Sequence, residues 1–266
     1  MPASRQPAPT SLAVSTLWHD LREALAQPSA APGGAGTGTG ATRSTRDVSA
    51  GLDIVDAGGG TGGFAVPLAE LGHRVVVVDP SPDSLASLDR RAAEAGVSDR
   101  VDARQGDLSS LPDVVAAGSA DALLCHSVLE YADDAGEALG AAVAVIRPGG
   151  LLSILVANRH AVVLARALAG RFEEAGAVLA DPDGRGSAHD RTVRRFDTAG
   201  LVALAEGAGM QVQAVHGVRV FSDLVPGAAL DDPVRREALQ ELERVASREA
   251  AWQVVAASLH LLARRP

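Results

Sequence analysis

Short apolar runs alternate with amphipathic segments along the chain from residue 52 onwards. The runs "LDIVDA", "RVVVVD", "RVDARQGDL", "DALLCHSV" and "LLSILVA" have the lengths of strands, and "RVVVVD" is too apolar to be half exposed. Between two of these runs, "SPDSLASLDRRAAEAG" begins with Ser81 as a helix N-cap and Pro82 at the first helical position, and it closes at Gly96. Strands and helices that alternate at this pace predict an α/β fold with a doubly wound parallel sheet, whose ligands bind at the carboxyl ends of the strands.

The flanking segments divide the chain into an N-terminal arm and helix (1–26), a tether (27–51) and one α/β domain (52–266). Residues 11–26 carry leucines at helical spacing, which predicts an amphipathic helix. The tether has few large apolar residues and many of Gly, Ala, Thr, Ser and Pro, so we expect it to be flexible. Within the domain, the sequence of residues 159–195 predicts a short helix followed by a polar loop. A helix capped by Asp197, a strand "QVQAVHGVRVF", a helix from Pro233 and a last strand "WQVVAASLHLL" are expected after it.

Composition narrows the class of protein. With 266 residues, of which 47% are hydrophobic, the chain can bury a full core. A formal net charge of -9 argues against non-specific binding to nucleic acid, including DNA, or to anionic membranes. The single cysteine, Cys125, excludes intramolecular disulfides and cysteine-rich zinc sites and fits a reducing compartment. The chain shows no signal-peptide pattern and no apolar run long enough to span a bilayer, so we expect a cytoplasmic protein.

The stretch "DIVDAGGGTGG" fits two nucleotide-binding patterns. Gly58, Gly60 and Gly63 give G-x-G-x-x-G, the dinucleotide fingerprint. Asp56 with Gly58, Gly60 and Gly62 gives D-x-G-x-G-x-G, by which many methyltransferases hold S-adenosylmethionine. Either ligand needs a tight turn in which backbone amides approach it closely. With either ligand, Asp79 at the end of the second strand supplies a carboxylate that can accept hydrogen bonds from both ribose hydroxyls.

Later features favour S-adenosylmethionine over a nicotinamide dinucleotide. A carboxylate at Asp56 would face the ammonium of a methionine moiety, whereas it would repel a pyrophosphate. Asp107, in "GDL", is suited to accept a hydrogen bond from an adenine amino group. "CHSVLEYADD" after the fourth strand and "LGAAVAVIRPGG" before the fifth stand where methyltransferases carry related segments. The predicted cofactor-binding residues are Asp56, Gly58, Gly59, Gly60, Gly62, Asp79, Pro80, Asp107, Leu108 and His126.

Over residues 52–264 the chain resembles class I S-adenosylmethionine-dependent methyltransferases. Segments such as "LDIVDAGGGTG", "HSVLEY", "IRPGGLLSIL", "ANRHAVVLARALAGRFEEA" and "HGVRVFSDL" are most similar to bacterial tRNA carboxymethoxyuridine methyltransferases, which esterify a carboxylate on the wobble uridine. The resemblance implies a Rossmann-like sheet of seven strands, the last antiparallel, and a substrate lid, here 159–195. The N-terminal "LWHDL" also matches. Ala13, Ser222 and Leu224, however, stand where a basic residue, His and Tyr are expected.

The acceptor determines which residues are needed. An ionised carboxylate needs no base but does need a cation, and Arg219 in "GVRVF" has a guanidinium that can hold a carboxylate by two hydrogen bonds. A structural ion pair at the end of a strand would explain Arg219 equally well. His160 is a second residue for positioning the acceptor, although a histidine near a helix start needs no function. A hydroxyl or amine acceptor would need a base, for which His126 or His160 could serve. Glu130 and Tyr131 could line the acceptor pocket.

The residues needed for a cysteine nucleophile and for a metal site are missing from the sequence. Cys125 follows Leu124 and not proline, so the Pro-Cys nucleophile of base-carbon methyltransferases is missing. Asp133 and Asp134 have no third carboxylate or amide at suitable spacing, so we predict no metal site.

The segment 159–195 is the basic part of an otherwise acidic chain. It holds seven arginines and five acidic residues, and this predicts either a rim for a tRNA anticodon loop or a solvated lid. The leading hypothesis is methylation of a tRNA carboxylate. A small-molecule acid or hydroxyl acceptor, a nicotinamide-dependent oxidoreductase and a non-catalytic S-adenosylmethionine-binding protein are the alternatives.

Overall fold

The computed structural model describes residues 12–27, 51–186, 193–227 and 230–266. They contain a seven-stranded sheet in the order β3-β2-β1-β4-β5-β7-β6. Strand β7 is antiparallel to both of its neighbours, and the other pairs are parallel. The predicted doubly wound sheet with an antiparallel last strand is confirmed. The strands are β1 Asp53–Ala57, β2 Arg74–Asp79, β3 Val101–Gln105, β4 Ala120–His126, β5 Ile146–Ala157, β6 Gln211–Val218 and β7 Ser258–Arg264.

Helices connect the strands and cover both faces of the sheet. Two predicted caps are confirmed: the Ser81 hydroxyl accepts a hydrogen bond from the Ser84 amide at 3.2 Å, and the Asp197 carboxylate accepts one from the Gly200 amide at 2.8 Å. The α-helices are α1 Leu12–Ala26, α2 Ala65–Glu70, α3 Pro82–Glu94, α4 Leu111–Val114, α5 Ala135–Ala142, α6 Arg159–Leu168, α7 Phe172–Ala180, α8 Thr198–Gly207, α9 Pro233–Ala246 and α10 Ala250–Gln253. None of them is long and apolar enough to cross a membrane.

Alternation along the central strands divides the core between the two faces. In β4, Ala122 and Leu124 pack in one apolar cluster, while Leu123 and Cys125 pack in the other. The first cluster contains Leu21 of α1 with residues of α2 and α3, and the second contains residues of α4, α5 and α8. Because both faces are covered, the central strands are apolar throughout, as their sequences predict.

The last two strands are shorter than predicted. Residues 252–257 do not belong to β7, because α10 extends to Gln253 and the side-chain amide of Asn158 donates to the carbonyls of Gln253, Val254 and Ala256 at 2.8–3.1 Å. Likewise β6 ends at Val218 rather than Phe221. The amides of residues 220–222 bond to the buried carboxylate of Glu243 in α9 instead of a neighbouring strand.

The segments outside the α/β core are described in part. Helix α1 is present at the predicted position, and Leu17 and Leu21 are buried against the sheet. The predicted tether lies almost wholly outside the described residues. In the segment predicted to be a lid, α6 and α7 pack against each other, while residues 187–192 lie outside the described part.

Candidate active site

A cavity of about 680 Å³ opens at the carboxyl ends of the strands. It lies beside β1 and β4, where the strand order reverses, which is the position at which doubly wound sheets bind ligands. Its walls come from the β1–α2 loop, the ends of β2 and β3, and the segment that follows β4. The lining residues are Gly58, Asp79, Pro80, Asp107, Leu108, Ser109, Ser127, Val128, Tyr131, Ala132, Asp133, Asp134, Glu137, Ala138 and Ala141.

The backbone of the glycine loop distinguishes between the two sequence patterns. Gly58, Gly60 and Gly62 have φ values of 72°, 54° and 79°, which side-chain-bearing residues rarely adopt. A Cβ on Gly62 would lie 2.3 Å from Cδ1 of buried Leu88. A Cβ on Gly63 would meet nothing within 4 Å, and its φ is outside this region. The loop therefore requires the glycines of D-x-G-x-G-x-G, whereas the third glycine of the dinucleotide pattern meets no requirement.

Gly59 is required for a different reason. A Cβ on it would lie 2.6 Å from Oδ2 of Asp56, so this glycine lets the loop rest directly on the carboxylate at the end of β1.

Asp79 links the loop to the cavity. Its Oδ2 accepts a hydrogen bond from the Gly60 amide at 3.0 Å, and its Oδ1 accepts one from the Ser81 amide at 2.9 Å. The side chain lines the cavity, and each carboxylate oxygen keeps a lone pair for a further donor. This position fits the predicted contact with ribose hydroxyls.

Asp107, Pro80 and Leu108 lie in the same wall, as expected for an adenine pocket. Asp107 accepts hydrogen bonds from the Ser109 hydroxyl at 2.7 Å and the Ser110 amide at 2.9 Å. These bonds, led by that from Ser109, hold the pKa of the carboxyl below its usual value, so it is an ionised acceptor at neutral pH.

Asp56 lies under the glycine loop and not in the cavity wall. It is 2% exposed, and its Oδ2 has no hydrogen-bond partner among the described residues. Burial, with a smaller contribution from the charge of Asp79, raises its pKa to about 7. A buried carboxylate oxygen without a partner fits a cationic ligand, although contact with an ammonium group stays a prediction.

The structure does not bring His126 into the cavity. Side chains alternate between the two faces along a strand, so His126 lies on the same face of β4 as Ala122 and Leu124. Its ring therefore points to the face covered by α1 and α2. There it contacts Phe64 edge-on at a centroid distance of 4.8 Å, and its Nε2 lies 2.9 Å from Oγ of Ser153. Burial lowers its pKa to about 3. Ser127 and Val128, the next residues along the chain, line the cavity in its place.

Arg219 and His160 lie at the carboxyl edge of the sheet, outside the cavity wall. The register pairs Ala157 and Val218 with Ser258, so the ends of β5 and β6 flank the start of β7. Arg219 is the first residue after β6, not within it as predicted, and His160 lies in the first turn of α6, where its amide bonds to Oδ1 of Asn158 at 3.0 Å.

Arg219 has an unusual backbone. Its φ is 58°, and among the described residues only Ser127 shares a positive φ without being glycine. Its Nη2 lies 3.4 Å from the Ser258 hydroxyl, its Nη1 lies 3.6 Å from the Asp223 carboxylate, and its side chain is 40% exposed. Both strained residues follow strand ends at the carboxyl edge. No sequence signal identifies Ser127, because serine is not a residue favoured at positive φ.

Glu130 and Tyr131, the two candidates for lining the acceptor pocket, lie in different environments. Tyr131 lines the cavity and is 67% exposed. Glu130 is buried, and its Oε1 accepts a hydrogen bond from the Ala157 amide at 2.9 Å, which ties the segment after β4 to the end of β5. Tyr131 can therefore touch an acceptor, while Glu130 holds the backbone behind it.

Comparison with known proteins agrees with this geometry. A family model described as a methyltransferase domain matches residues 55–154. The tRNA 5-carboxymethoxyuridine methyltransferase of Escherichia coli strain K12 is 32% identical over 219 residues, 81% of this chain and 80% of that protein. A ubiquinone biosynthesis O-methyltransferase of Methylocella silvestris is 38% identical over 120 residues, which cover 45% of each protein.

Solved structures show the same fold. The S-adenosylmethionine-dependent methyltransferase of Mesorhizobium loti matches with a TM-score of 0.60 at 20% identity, over 96% of this chain and 100% of that one. A geranyl diphosphate methyltransferase solved in complex with S-adenosylmethionine matches with a TM-score of 0.51 at 20% identity, over 81% of this chain and 79% of that one. Together with the glycine loop, these findings identify the cofactor as S-adenosylmethionine and exclude the dinucleotide interpretation. The chain belongs to the S-adenosylmethionine-dependent methyltransferases of class I, with the tRNA 5-carboxymethoxyuridine methyltransferases among its relatives.

Proposed function

We propose that this methyltransferase transfers the methyl group to a carboxylate, and that its acceptor is the carboxymethoxyuridine at the wobble position of tRNA. Arg219 is the observation that carries the proposal. A non-glycine residue held at positive φ costs on the order of 1–3 kcal/mol; such strain persists only where the surrounding structure enforces it, and it clusters at active sites and ligand clamps. Arg219 is the cation so held at the carboxyl edge, and its two neighbours, at 3.4 and 3.6 Å, are at the limit of hydrogen-bonding distance.

His126, one of the two histidines that could act as a general base, is poorly suited to that role. His126 has one ring nitrogen beside the Ser153 hydroxyl, and its pKa of about 3 makes it a weak proton acceptor near neutrality. A carboxylate acceptor is already ionised and needs no base. His160, in the first turn of α6 and outside the cavity wall, is the remaining candidate base, and ester formation is the reaction that these residues match without one.

The residues of the chain would bind the cofactor, orient the acceptor and exclude water. When bound, S-adenosylmethionine supplies a methyl group on a sulfonium centre, already activated for displacement. Asp79 and Asp107 would hold the adenosine, the loop 58–62 would approach it through its backbone amides, and Arg219 would orient the acceptor carboxylate. Correct alignment is the main contribution that such a reaction needs from the protein.

Tyr131 supports an acceptor that carries a planar ring. It lines the cavity with most of its ring exposed, and an unstacked RNA base can stack on such a ring. The E. coli relative named for tRNA matches well beyond the cofactor-binding half of the chain, and it also supports RNA as the substrate.

A small-molecule acid or hydroxyl is the second candidate acceptor, and the state of the lid favours it. The described arginines of the lid bond within the protein: Arg159 to the Asp181 carbonyl, Arg194 to the carboxylate of Asp183 and the carbonyl of Ala132, and Arg195 to the carbonyl of Gly184. Arg166 and Arg171 approach Glu174, and Arg185 approaches Asp183. Much of the predicted basic rim thus holds the lid together, which leaves less charge for phosphate groups.

Radiolabelled methyl transfer to undermodified tRNA tests the proposal. We expect label in tRNA that mild alkali releases as methanol, because a methyl ester hydrolyses under conditions that leave methyl ethers and methylamines intact. Label stable to alkali would contradict the carboxylate, and label that appears only with small acids or phenols would favour the second candidate. Arg219→Gln should abolish transfer and spare S-adenosylmethionine affinity, whereas exposed Arg235→Gln should leave both unchanged.

A further inference from the structure

A cluster of two histidines and one aspartate lies on the sheet face covered by α1, away from the cofactor cavity. Asp20 belongs to α1, His216 to β6 and His260 to β7. One side-chain nitrogen or oxygen of each residue lies within 4.8 Å of the others. Asp20 and His260 are buried and the His216 side chain is 14% exposed, so three potential ligands from three elements meet in the interior.

Each of these residues has a buried polar atom that makes no hydrogen bond of regular geometry. The atoms are Oδ2 of Asp20, Nδ1 of His216 and Nδ1 of His260. The first two lie 3.0 Å apart. These two atoms are therefore partners of each other at hydrogen-bonding distance, while Nδ1 of His260 has no partner among the described residues. A buried acceptor left without a partner costs about 1–3 kcal/mol, and an ion held by all three residues would satisfy it.

The opposite side of each ligand is held by further contacts. Nε2 of His260 lies 2.9 Å from the Ser153 hydroxyl, which also lies 2.9 Å from Nε2 of His126. A serine hydroxyl has one proton, so one of these two histidines must donate to it. With His260 as that donor, its Nδ1 carries a lone pair directed at the cluster.

The carboxylate is held in the same manner. Arg248 donates to Oδ1 of Asp20 at 3.2 Å, which leaves Oδ2 for the cluster, and it also pairs with Glu23 at 3.0 Å. Outer contacts of this kind orient the ligands in metal sites. Because two carboxylates share its charge, Arg248 opposes a bound cation only weakly.

We propose that Asp20, His216 and His260 form a binding site for a divalent transition-metal ion, with Zn²⁺ as the ion to test. Two neutral imidazoles and one carboxylate are a donor set that such ions prefer. Ligand atoms about 2.0–2.2 Å from the ion lie roughly 3–3.5 Å from one another. The ligand atoms of the cluster lie within 4.8 Å of one another, so the longest of these separations must shorten by roughly 1.3–1.8 Å on binding.

The surroundings suit such an ion. A second cavity, of about 290 Å³, adjoins the cluster and is lined by Asp20, His216, Arg248 and Leu262 among others, which gives the ion an entry path and room for a water ligand. The ion would join α1 to β6 and β7. The sequence predicts no metal, because ligands separated by up to 240 residues form no recognisable spacing.

Metal titration of the full, untagged chain tests the site. After removal of metal with a chelator, we expect one equivalent of Zn²⁺ to remain through dialysis and to raise the unfolding temperature. Co²⁺ should bind in its place and show the visible ligand-field bands of a nitrogen- and oxygen-ligated ion. A wild-type protein that retains no stoichiometric Zn²⁺ and shows no such bands would overturn the proposal, whatever the variants do.

Matched variants locate the bound ion. His216→Gln and Asp20→Asn should each weaken Zn²⁺ binding by at least about tenfold, while His19→Gln, at an exposed position next to Asp20 on the same helix, should not change it. Circular dichroism reports whether each variant is folded. Equal Zn²⁺ affinity in wild type and a folded His216→Gln variant would place the ion elsewhere and also overturn the proposal.

Discussion

At the scale of single residues, the glycine loop shows how little the count of glycines means without its geometry. Gly62 and Gly63 are neighbours, yet Gly62 is buried at positive φ against Leu88, while Gly63 is exposed with open space around it. The backbone therefore requires glycine at position 62 but not at position 63.

Alanine at these two positions makes a matched pair. Gly62→Ala should lower the free energy of unfolding by roughly 2–4 kcal/mol, because it adds an unfavourable φ and a clash with a buried side chain. Gly63→Ala should stay within about 0.5 kcal/mol of wild type. Denaturant unfolding of both variants measures the difference, and equal losses would mean that the loop is placed wrongly.

Asp79 is the second residue whose position implies a measurable effect. Asp79→Ala should weaken S-adenosylmethionine binding by ~1–3 kcal/mol, about 5- to 150-fold, since a charge-assisted acceptor for the ribose and the support of the Gly60 amide are both lost. Asp89→Ala, at an exposed position of α3, is the control. Calorimetric titration gives the affinities, and an unchanged affinity in Asp79→Ala would contradict the placement of the ribose.

At the scale of elements, α9 determines where β6 ends. The Glu243 carboxylate, 3% exposed, accepts hydrogen bonds from the amides of Val220, Phe221 and Ser222 at 2.7–3.0 Å and from the Ser222 hydroxyl. The chain turns away from the sheet at the residue before them, which is Arg219. Ser222, one of the residues that differ from the pattern expected of the related tRNA enzymes, thus has a structural partner of its own.

Removing this carboxylate should affect stability and turnover together. Glu243→Gln should lower the free energy of unfolding by about 1.5–3 kcal/mol, because the side-chain amide presents one acceptor where three backbone donors need partners. Methyl transfer should fall as Arg219 loses its position, with S-adenosylmethionine affinity retained. Glu237→Gln, at an exposed position of α9, should change neither quantity. A stable Glu243→Gln variant with normal turnover would show that α9 does not position the arginine.

At the scale of the whole molecule, Asp56 links folding to cofactor binding through pH. Its pKa is raised from 3.8 to about 7 in the folded chain, so between these values the folded state binds more protons than the unfolded state. Stability contributed by this group is therefore highest in acid and falls as pH rises through about 7. A cationic cofactor should favour the ionised form and oppose that loss.

Two titrations follow from this sign. Relative to Asp56→Asn, the free energy of unfolding of the cofactor-free wild type should fall by roughly 2–3 kcal/mol between about pH 5 and about pH 8. Over the same interval its affinity for S-adenosylmethionine should rise, while that of Asp56→Asn stays level. Parallel curves for the two proteins would mean that Asp56 is ionised throughout.

Local pattern was sufficient for most elements and for the cofactor loop. Ser81, Asp197 and Pro233 marked helix starts because capping depends on neighbours in sequence. The ends of β6 and β7 were predicted wrongly, since Glu243 and Asn158 compete for their backbone groups from distant parts of the chain. His126 was assigned to the cofactor from its place at the end of β4, but the alternation of side chains along the strand turns its ring to the other face of the sheet.

The sequence by itself determined the α/β order, the strand ends that carry Asp79 and Asp107, and the glycine pattern, because periodicity and tight turns depend on residues close together in the chain. Only the tertiary structure decided which glycines are indispensable and that Oδ2 of Asp56 is buried without a hydrogen-bond partner among the described residues. It also decided that Arg219 is held at positive φ and that Asp20, His216 and His260 converge. These features depend on contacts between residues far apart in sequence, which the packing of α1 and α9 onto the sheet creates.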